Sequence, residues 1–292
     1  MSLLANSNAI ETGGYQISRS VRLRSSASAY LNRTPASASN RKTWTWSAWV
    51  KIGSNSDNFI FGGNPSATQR CYIALTSSNN LDLVGVNASS TVLQLRTTAV
   101  FRDPSAWYHF VFSIDTTQAT AADRAKIYIN GSQITALSIA TYPSQNTDLE
   151  VNNNSSHVIG VRGTYSITNL FDGYLTEINF IDGQALTPSS FGETDTITGS
   201  WVAKKYTGSY GTNGFYLNFS DNSAATSTTI GKDYSGNGNN WTPNNISVTA
   251  GTTYDSMLDV PSGNGYAWRQ WAGELCNAES AGYCHLINFD EW

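Results

Sequence analysis

The sequence predicts an all-β protein in which two antiparallel sheets pack face to face. Apolar and polar side chains alternate with a period of two along most of the chain, the pattern of half-buried strands. Turn pairs such as Asn130-Gly131 and Asp182-Gly183 punctuate the runs. Charged residues make up only 13% of the 292 residues, about half the usual share, and Ser, Thr, Asn and Gly take their place. That mix opposes long helices, because the short polar side chains compete for backbone hydrogen bonds and glycine loses too much entropy. Apolar residues at 40% and aromatics at 12% are enough for a large core.

Val21 and Leu23 alternate with Arg22 and Arg24 in a first strand. Trp44, Trp46, Ala48 and Val50 fall on one face of a second, which sets Trp49 on the other. Tyr108, Phe110, Phe112 and Ile114 line one face of a third, opposite His109, Ser113 and Asp115. Ile127 and Ile129 lead into Asn130-Gly131, where two successive positive φ angles make a tight hairpin, and Ile134 begins the return. Further strands are expected at 158–161 and 174–181. Thr187 followed by Pro188 reads as a cap, a proline at the first helical position and one short helical turn.

Several function classes fall away. The net charge is −4 and basic runs such as Lys204-Lys205 do not exceed two residues, so no nucleic-acid footprint is expected. No apolar run approaches ~18 residues, so no membrane insertion is expected. The first residues lack the basic start and apolar stretch of a secretory signal, which predicts synthesis in a cytoplasm. Cys71, Cys276 and Cys284 have neither disulfide-framework nor zinc spacing, although Cys276 and Cys284 could close a small loop. No Gly-x-Ser-x-Gly elbow and no phosphate-cradling loop occur, and His109, His157 and His285 are the only histidines.

Four segments carry a family resemblance: Ser20 to Leu31 with its small-residue turn, Trp44 to Lys51, the Trp107 to Phe112 strand followed by Ala125 to Gly131, and Phe171-Asp172-Gly173-Tyr174 running on to Thr187. In this order they resemble the concanavalin A-like, laminin-G-like jelly roll, over roughly residues 18–192. The resemblance implies a two-sheet sandwich at 1–195. Residues 196–292 remain as a β-rich C-terminal extension. Within it, the aromatic strand at 214–219 and the segment at 232–239 resemble the opening of such a domain. They either fold back onto the sandwich or begin a truncated second unit; fold-back is favoured, since a few strands alone would leave a face unburied.

Sandwich glucanases of this superfamily carry alternating acids on one strand, and Glu177-Ile178-Asn179-Phe180-Ile181-Asp182 departs from that pattern by an Asn in the middle. No catalytic residue is therefore assigned. Asp233, Ser235, Asn237 and Asn239 alternate in a glycine-rich turn, which suits either a calcium ion or an ion-free turn held by side-chain oxygens. Trp44, Trp46 and Trp107 are expected in the core. Trp49, Trp241, Trp268 and Trp271 are the candidates for carbohydrate or interface contact. The pattern, including the segment at 254–261, also resembles virion-associated proteins of marine phages. That resemblance implies a non-enzymatic virion structural or adhesive protein, made in the host cytoplasm, oligomeric, contacting other virion subunits and a host surface glycan. A carbohydrate-binding lectin module of a bacterial surface or exported protein is the alternative, and a glycoside hydrolase the third.

Overall fold

The computed structural model describes residues 15–54 and 57–261. Trp268, Trp271, Cys276, Cys284 and His285 lie outside the described residues. The strands run in chain order β1 (Ser20–Leu23), β2 (Tyr30–Arg33), β3 (Thr43–Ile52), β4 (Asn58–Gly63), β5 (Arg70–Leu75), β6 (Asn80–Asn87), β7 (Ser90–Val100), β8 (Trp107–Asp115) and β9 (Ala125–Ile129). Then follow β10 (Ser132–Gln133), β11 (Leu137–Thr141), β12 (His157–Ile159), β13 (Gly173–Asp182), β14 (Gly192–Thr194), β15 (Trp201–Ala203), β16 (Phe215–Leu217), β17 (Thr242–Asn244) and β18 (Ser256–Met257). Three single 3-10 turns are the helical elements among the described residues.

Two antiparallel sheets take up nearly all of these strands, the architecture of a jelly-roll sandwich. Sheet one has the order β10-β9-β8-β3-β13-β1-β18, with β16 also on β13. Sheet two has the order β11-β7-β6-β5-β4-β12-β2-β17. The long-range order follows from alternation. Trp44, Trp46, Ala48 and Val50 of β3 and Phe110, Phe112 and Ile114 of β8 point into one shared core, as do Leu81 and Leu83 of β6 and Leu93 and Leu95 of β7. The Asn130-Gly131 turn has φ of +47° and +83°, and it joins β9 to β10 with Ile129 opposite Ser132. Trp107 departs from its expected place in the core. The register of β8 turns it to the outer side, where its indole N–H donates to Asp259 Oδ1 at 3.0 Å.

Residues 201–261 contribute to both layers. β16 pairs with β13, β17 pairs with β2, and β18 pairs with β1. Phe215, Leu217, Phe219, Ile230, Trp241 and Ile246 belong to the same core as the earlier strands. A buried carboxylate pins the last strand. Asp255 is fully buried and accepts from Arg22 Nε at 3.1 Å and from Arg24 Nε at 2.7 Å, so the arginines that alternate with Val21 and Leu23 have a partner 230 residues along. Such charge-assisted pairs hold geometry better than they add net stability.

Trp241 is the largest side chain that this late segment buries. It lies 4.9 Å from the ring of Phe215 and 6.4 Å from that of Phe61. Trp241→Ala should therefore destabilise the fold by about 3–5 kcal/mol, the cost of a large aromatic cavity, in chemical denaturation followed by far-UV circular dichroism. A loss under about 1 kcal/mol would mean that the late segment packs only loosely on the sandwich.

Candidate functional site

The outer face of sheet one is covered by the chain itself. Trp49 projects there, is 5% exposed, and stacks on His109 at 5.0 Å. His109 in turn stacks under Trp201 at 6.0 Å. Trp201 nests against Gly131 and Gly192, where an added Cβ would come within 2.6 Å and 2.5 Å of its ring. Alongside, Val111, Ile181 and Phe191 form a second apolar cluster under Leu186, Tyr206 and Tyr210. Trp49 and Trp241, expected as sugar or interface residues, are thus both interior. Trp49 stacks on its cross-strand neighbour His109, and Trp241 fills the main core.

The described polar groups under this cover hydrogen-bond to one another. Trp201 Nε1–H donates to His109 Nδ1 at 2.9 Å, and an indole can only donate. The neutral imidazole therefore carries its proton on Nε2 and donates it to Ser47 Oγ at 2.9 Å. A base that already donates to the hydroxyl cannot remove its proton. Burial lowers the pKa of His109 to about 3 and that of His157, whose Nε2 accepts from Asn152 N, to about 4.

Glu177 sits at φ +52° in a bulge of β13. The bulge sends Ile178 into the core and Glu177 to the outer side, where both carboxylate oxygens accept from Tyr216 Oη, at 2.9 and 2.7 Å. Tyr15 Oη lies 2.5 Å from the same phenol. Asn179 accepts from Tyr210 at 2.8 Å, while Asp182 faces elsewhere and accepts from the backbone of Asn40 and Asn213. Burial raises Glu177 to about 7, against the hydrogen bonds from the tyrosines and the charge of Lys205. Among the described residues no second carboxylate acts on Glu177, and glycoside hydrolysis ordinarily needs two.

The glycine-rich turn at 233–240 is held by its own hydrogen bonds. Asp233 Oδ1 accepts from the backbone N–H of Tyr216 and Ser235, and Oδ2 accepts from Ser235 Oγ and Asn239 N, all at 2.8 Å. Asn237 and Asn239 spend their amide nitrogens on the carbonyls of Gly211, Thr212 and Gly214. The Arg33 guanidinium donates to the remaining amide oxygen of Asn239. This donor set does not fit a calcium ion, since each Asp233 oxygen is doubly engaged and a cation already lies against the turn. Asp233, Ser235, Asn237 and Asn239 form a hydrogen-bonded pin between β16 and the rim.

The outer face of sheet two offers a different chemistry. A bulge in β4 places Ile60 and Phe61 inward together and leaves Phe59 and Gly62 outward. Gly62 is opposite Tyr72 of β5, and an added Cβ would lie 2.8 Å from Tyr72 Cβ, so only glycine gives the ring its place. The Tyr72 ring lies 4.4 Å from Phe59, and the Arg70 guanidinium carbon is 5.9 Å from its centroid. On β6 and β7, Asp82 Oδ2 accepts from Arg96 at 2.6 Å and from Gln94 at 3.2 Å. Burial raises the Tyr72 phenol above its ordinary value, against the nearby charges of Arg70 and Arg162, so it stays a neutral hydrogen-bonding group. Beside it the loop at 161–170 presents Tyr165 and Ile167, each 41% exposed. Phe59, Arg70, Tyr72, Gln94 and Arg96 are the residues that tryptophan counting overlooks. The Gly62-Gly63 pair inside an apolar run, facing a strand that alternates Arg70, Tyr72 and Ala74, is their signal in the sequence.

Glu177 makes the pH response testable. Its folded pKa stands above the unfolded value, so its contribution is full below about pH 4.5 and is lost as pH rises to about 7. Buried His109 and His157 act oppositely, losing stability as pH falls below about 6.5. Comparison with Glu177→Gln cancels the histidines. Between pH 4.5 and 7.5, urea denaturation should show wild type losing roughly 3 kcal/mol relative to the variant. A difference constant with pH would contradict the burial of a neutral acid.

The sequence profile described as the concanavalin A-like lectin/glucanases superfamily matches residues 25–191. No curated protein matches the chain. Among solved structures, the fold is similar to a heptameric SAP-like pentraxin from Limulus polyphemus, at 18% identity and a TM-score of 0.46, over 65% of this chain and 94% of that one. It is also similar to domain 4 of an extracellular arabinanase from Geobacillus stearothermophilus, solved with arabinotriose, at 24% identity and 0.37, over 52% of this chain and 65% of that one. Mouse laminin α1 domains LG4-5 align at 10% identity and 0.40, over 56% of this chain and 40% of that one. With more than half of its length matched by the profile and two antiparallel sheets on the page, the chain belongs to the concanavalin A-like lectin/glucanases superfamily.

Proposed function

We propose that the protein is a non-enzymatic glycan-recognition module, displayed as an adhesive structural component of a phage particle. The observation that carries the glycan reading is the outer face of sheet two, where Tyr72 lies over Gly62 among the planar polar groups of Arg70, Gln94 and Arg96. Sugar rings present apolar C–H faces edged by hydroxyls. An aromatic ring bordered by fixed donors and acceptors meets both parts of that surface. The donor state of His109 and the isolation of Glu177 support binding without turnover. The phage-particle reading draws on the resemblance of the sequence to virion-associated proteins and on its sparse charge, and it implies neighbouring virion subunits and a host surface glycan as partners.

A glycan array with the full chain should find a bound class, and Tyr72→Ala should weaken that binding about tenfold or more while the near-UV circular dichroism stays native. An array with no bound glycan, or a variant that binds unchanged, would sink the site. For the particle, mass spectrometry of purified virions should recover peptides of this chain, and their absence would reject that assignment.

A further inference from the structure

We infer that the outer face of sheet two meets the hydroxyl edge of an uncharged sugar with Arg96 and Gln94, and that buried Asp82 is the residue positioning both. The inference rests on the glycan reading above and narrows it to neutral glycans. Strand register brings the groups together. Tyr72 of β5 lies opposite Val84 of β6, and Val84 lies opposite Gln94 of β7. Asp82 and Arg96 face each other two residues along the same strands. Leu83, Leu93 and Leu95 point into the core, so Asp82, Gln94 and Arg96 share the outer side with Tyr72. Neighbouring strands are about 4.8 Å apart, so the backbones of Tyr72 and Gln94 stand roughly 10 Å apart across the sheet. A sugar ring stacked on Tyr72 thus turns one edge toward β7.

Asp82 fixes what that edge meets. It is 4% exposed, and its Oδ2 accepts from Arg96 Nη2 at 2.6 Å and from Gln94 Nε2 at 3.2 Å. An amide whose nitrogen is committed presents its oxygen, so Gln94 Oε1 remains as an acceptor and Arg96 Nη1 as a donor. No described residue hydrogen-bonds to either atom, and both reach solvent. An acceptor beside a donor complements two adjacent hydroxyls, each of which can give and take a hydrogen bond. One buried carboxylate holds both planar groups, so little side-chain freedom is lost on binding.

The same contact sets the charge. Arg96 is ion-paired with Asp82 and lies within electrostatic reach of Asp57. Arg70 shares its hollow with Asp148 and Glu150. The guanidinium on β7 therefore acts as a neutralised donor suited to hydroxyls, whereas a ligand carboxylate would be set against Asp82. Removing the Asp82 charge while keeping its shape should reverse that preference.

The test is calorimetric titration of the full chain with cellotetraose, maltotetraose, xylotetraose and mannotetraose as neutral probes and tetragalacturonate as the acidic one. At least one neutral probe is expected to bind about tenfold or more tighter than tetragalacturonate, with an affinity that holds as salt rises. Asp82→Asn should weaken that neutral binding about tenfold and strengthen tetragalacturonate binding, while the near-UV spectrum stays native. A residue needed only for folding would not shift the two in opposite directions. Gln94→Leu should weaken neutral binding by a similar factor without the acidic gain, and it decides the matter if Asp82→Asn loses its native spectrum. Tetragalacturonate bound as tightly as the neutral probes, an unchanged ratio in a folded Asp82→Asn, or unchanged neutral binding in Gln94→Leu would overturn the inference and leave the glycan reading standing. Binding of no probe, acidic or neutral, would overturn both.

Discussion

The two sheets meet at the ring of Phe61. It comes from β4 of sheet two and lies 5.7 Å from Trp46, 5.9 Å from Phe180, 6.3 Å from Phe215 and 6.4 Å from Trp241. Those partners come from β3, β13, β16 and the segment before β17, so one aromatic cluster ties the earlier strands of the sandwich to the late ones. Aromatic rings bring large buried areas and prefer tilted or offset contacts, which fixes sheet spacing as well as adding stability. The same residue governs the outer surface. To turn both Ile60 and Phe61 inward, β4 must bulge, and the bulge is what sets Gly62 against Tyr72 outside. Core closure and the candidate binding face are two sides of one strand.

That coupling also explains the asymmetry of the molecule. Sheet one spends its outer face on packing: Trp49, His109 and Trp201 stack there, and Tyr206, Tyr210 and Phe191 close over Ile181 and Val111. His109 under Trp201, and Glu177 under the Tyr216 phenol, are both engaged there by hydrogen bonds. The outer face of sheet two instead carries the Arg96–Asp82 ion pair within electrostatic reach of Tyr72.

Much of the architecture was legible in the sequence because alternation is a strong constraint when one face must be buried. Trp44, Trp46, Phe110 and Phe112 are placed by counting in twos, and Asn130-Gly131 by its need for two positive φ angles. The candidate face was not legible, for the same reason in reverse. β4 is buried throughout and bulged, so it has no alternation to count, and its outward residues Phe59 and Gly62 cannot be told from its inward ones. Trp241 sits outside any periodic run, so nothing local shows that Phe61 and Phe215 enclose it. Trp107 misled because its strand starts at the sheet's edge with the register of His109. The turn at 233–240 has the spacing of an ion loop, and only the approach of Arg33 and the backbone of Tyr216 reveals that its oxygens are already in use.

The central claim is that β4 to β7 present the ligand face. Amide NMR of the labelled full chain, titrated with a glycan it binds, tests this most directly. Perturbations should centre on Gly62, Tyr72, Gln94 and Arg96 and the adjoining loop at 161–170. Perturbations confined to the 233–240 rim, or to the cover over sheet one, would contradict the account.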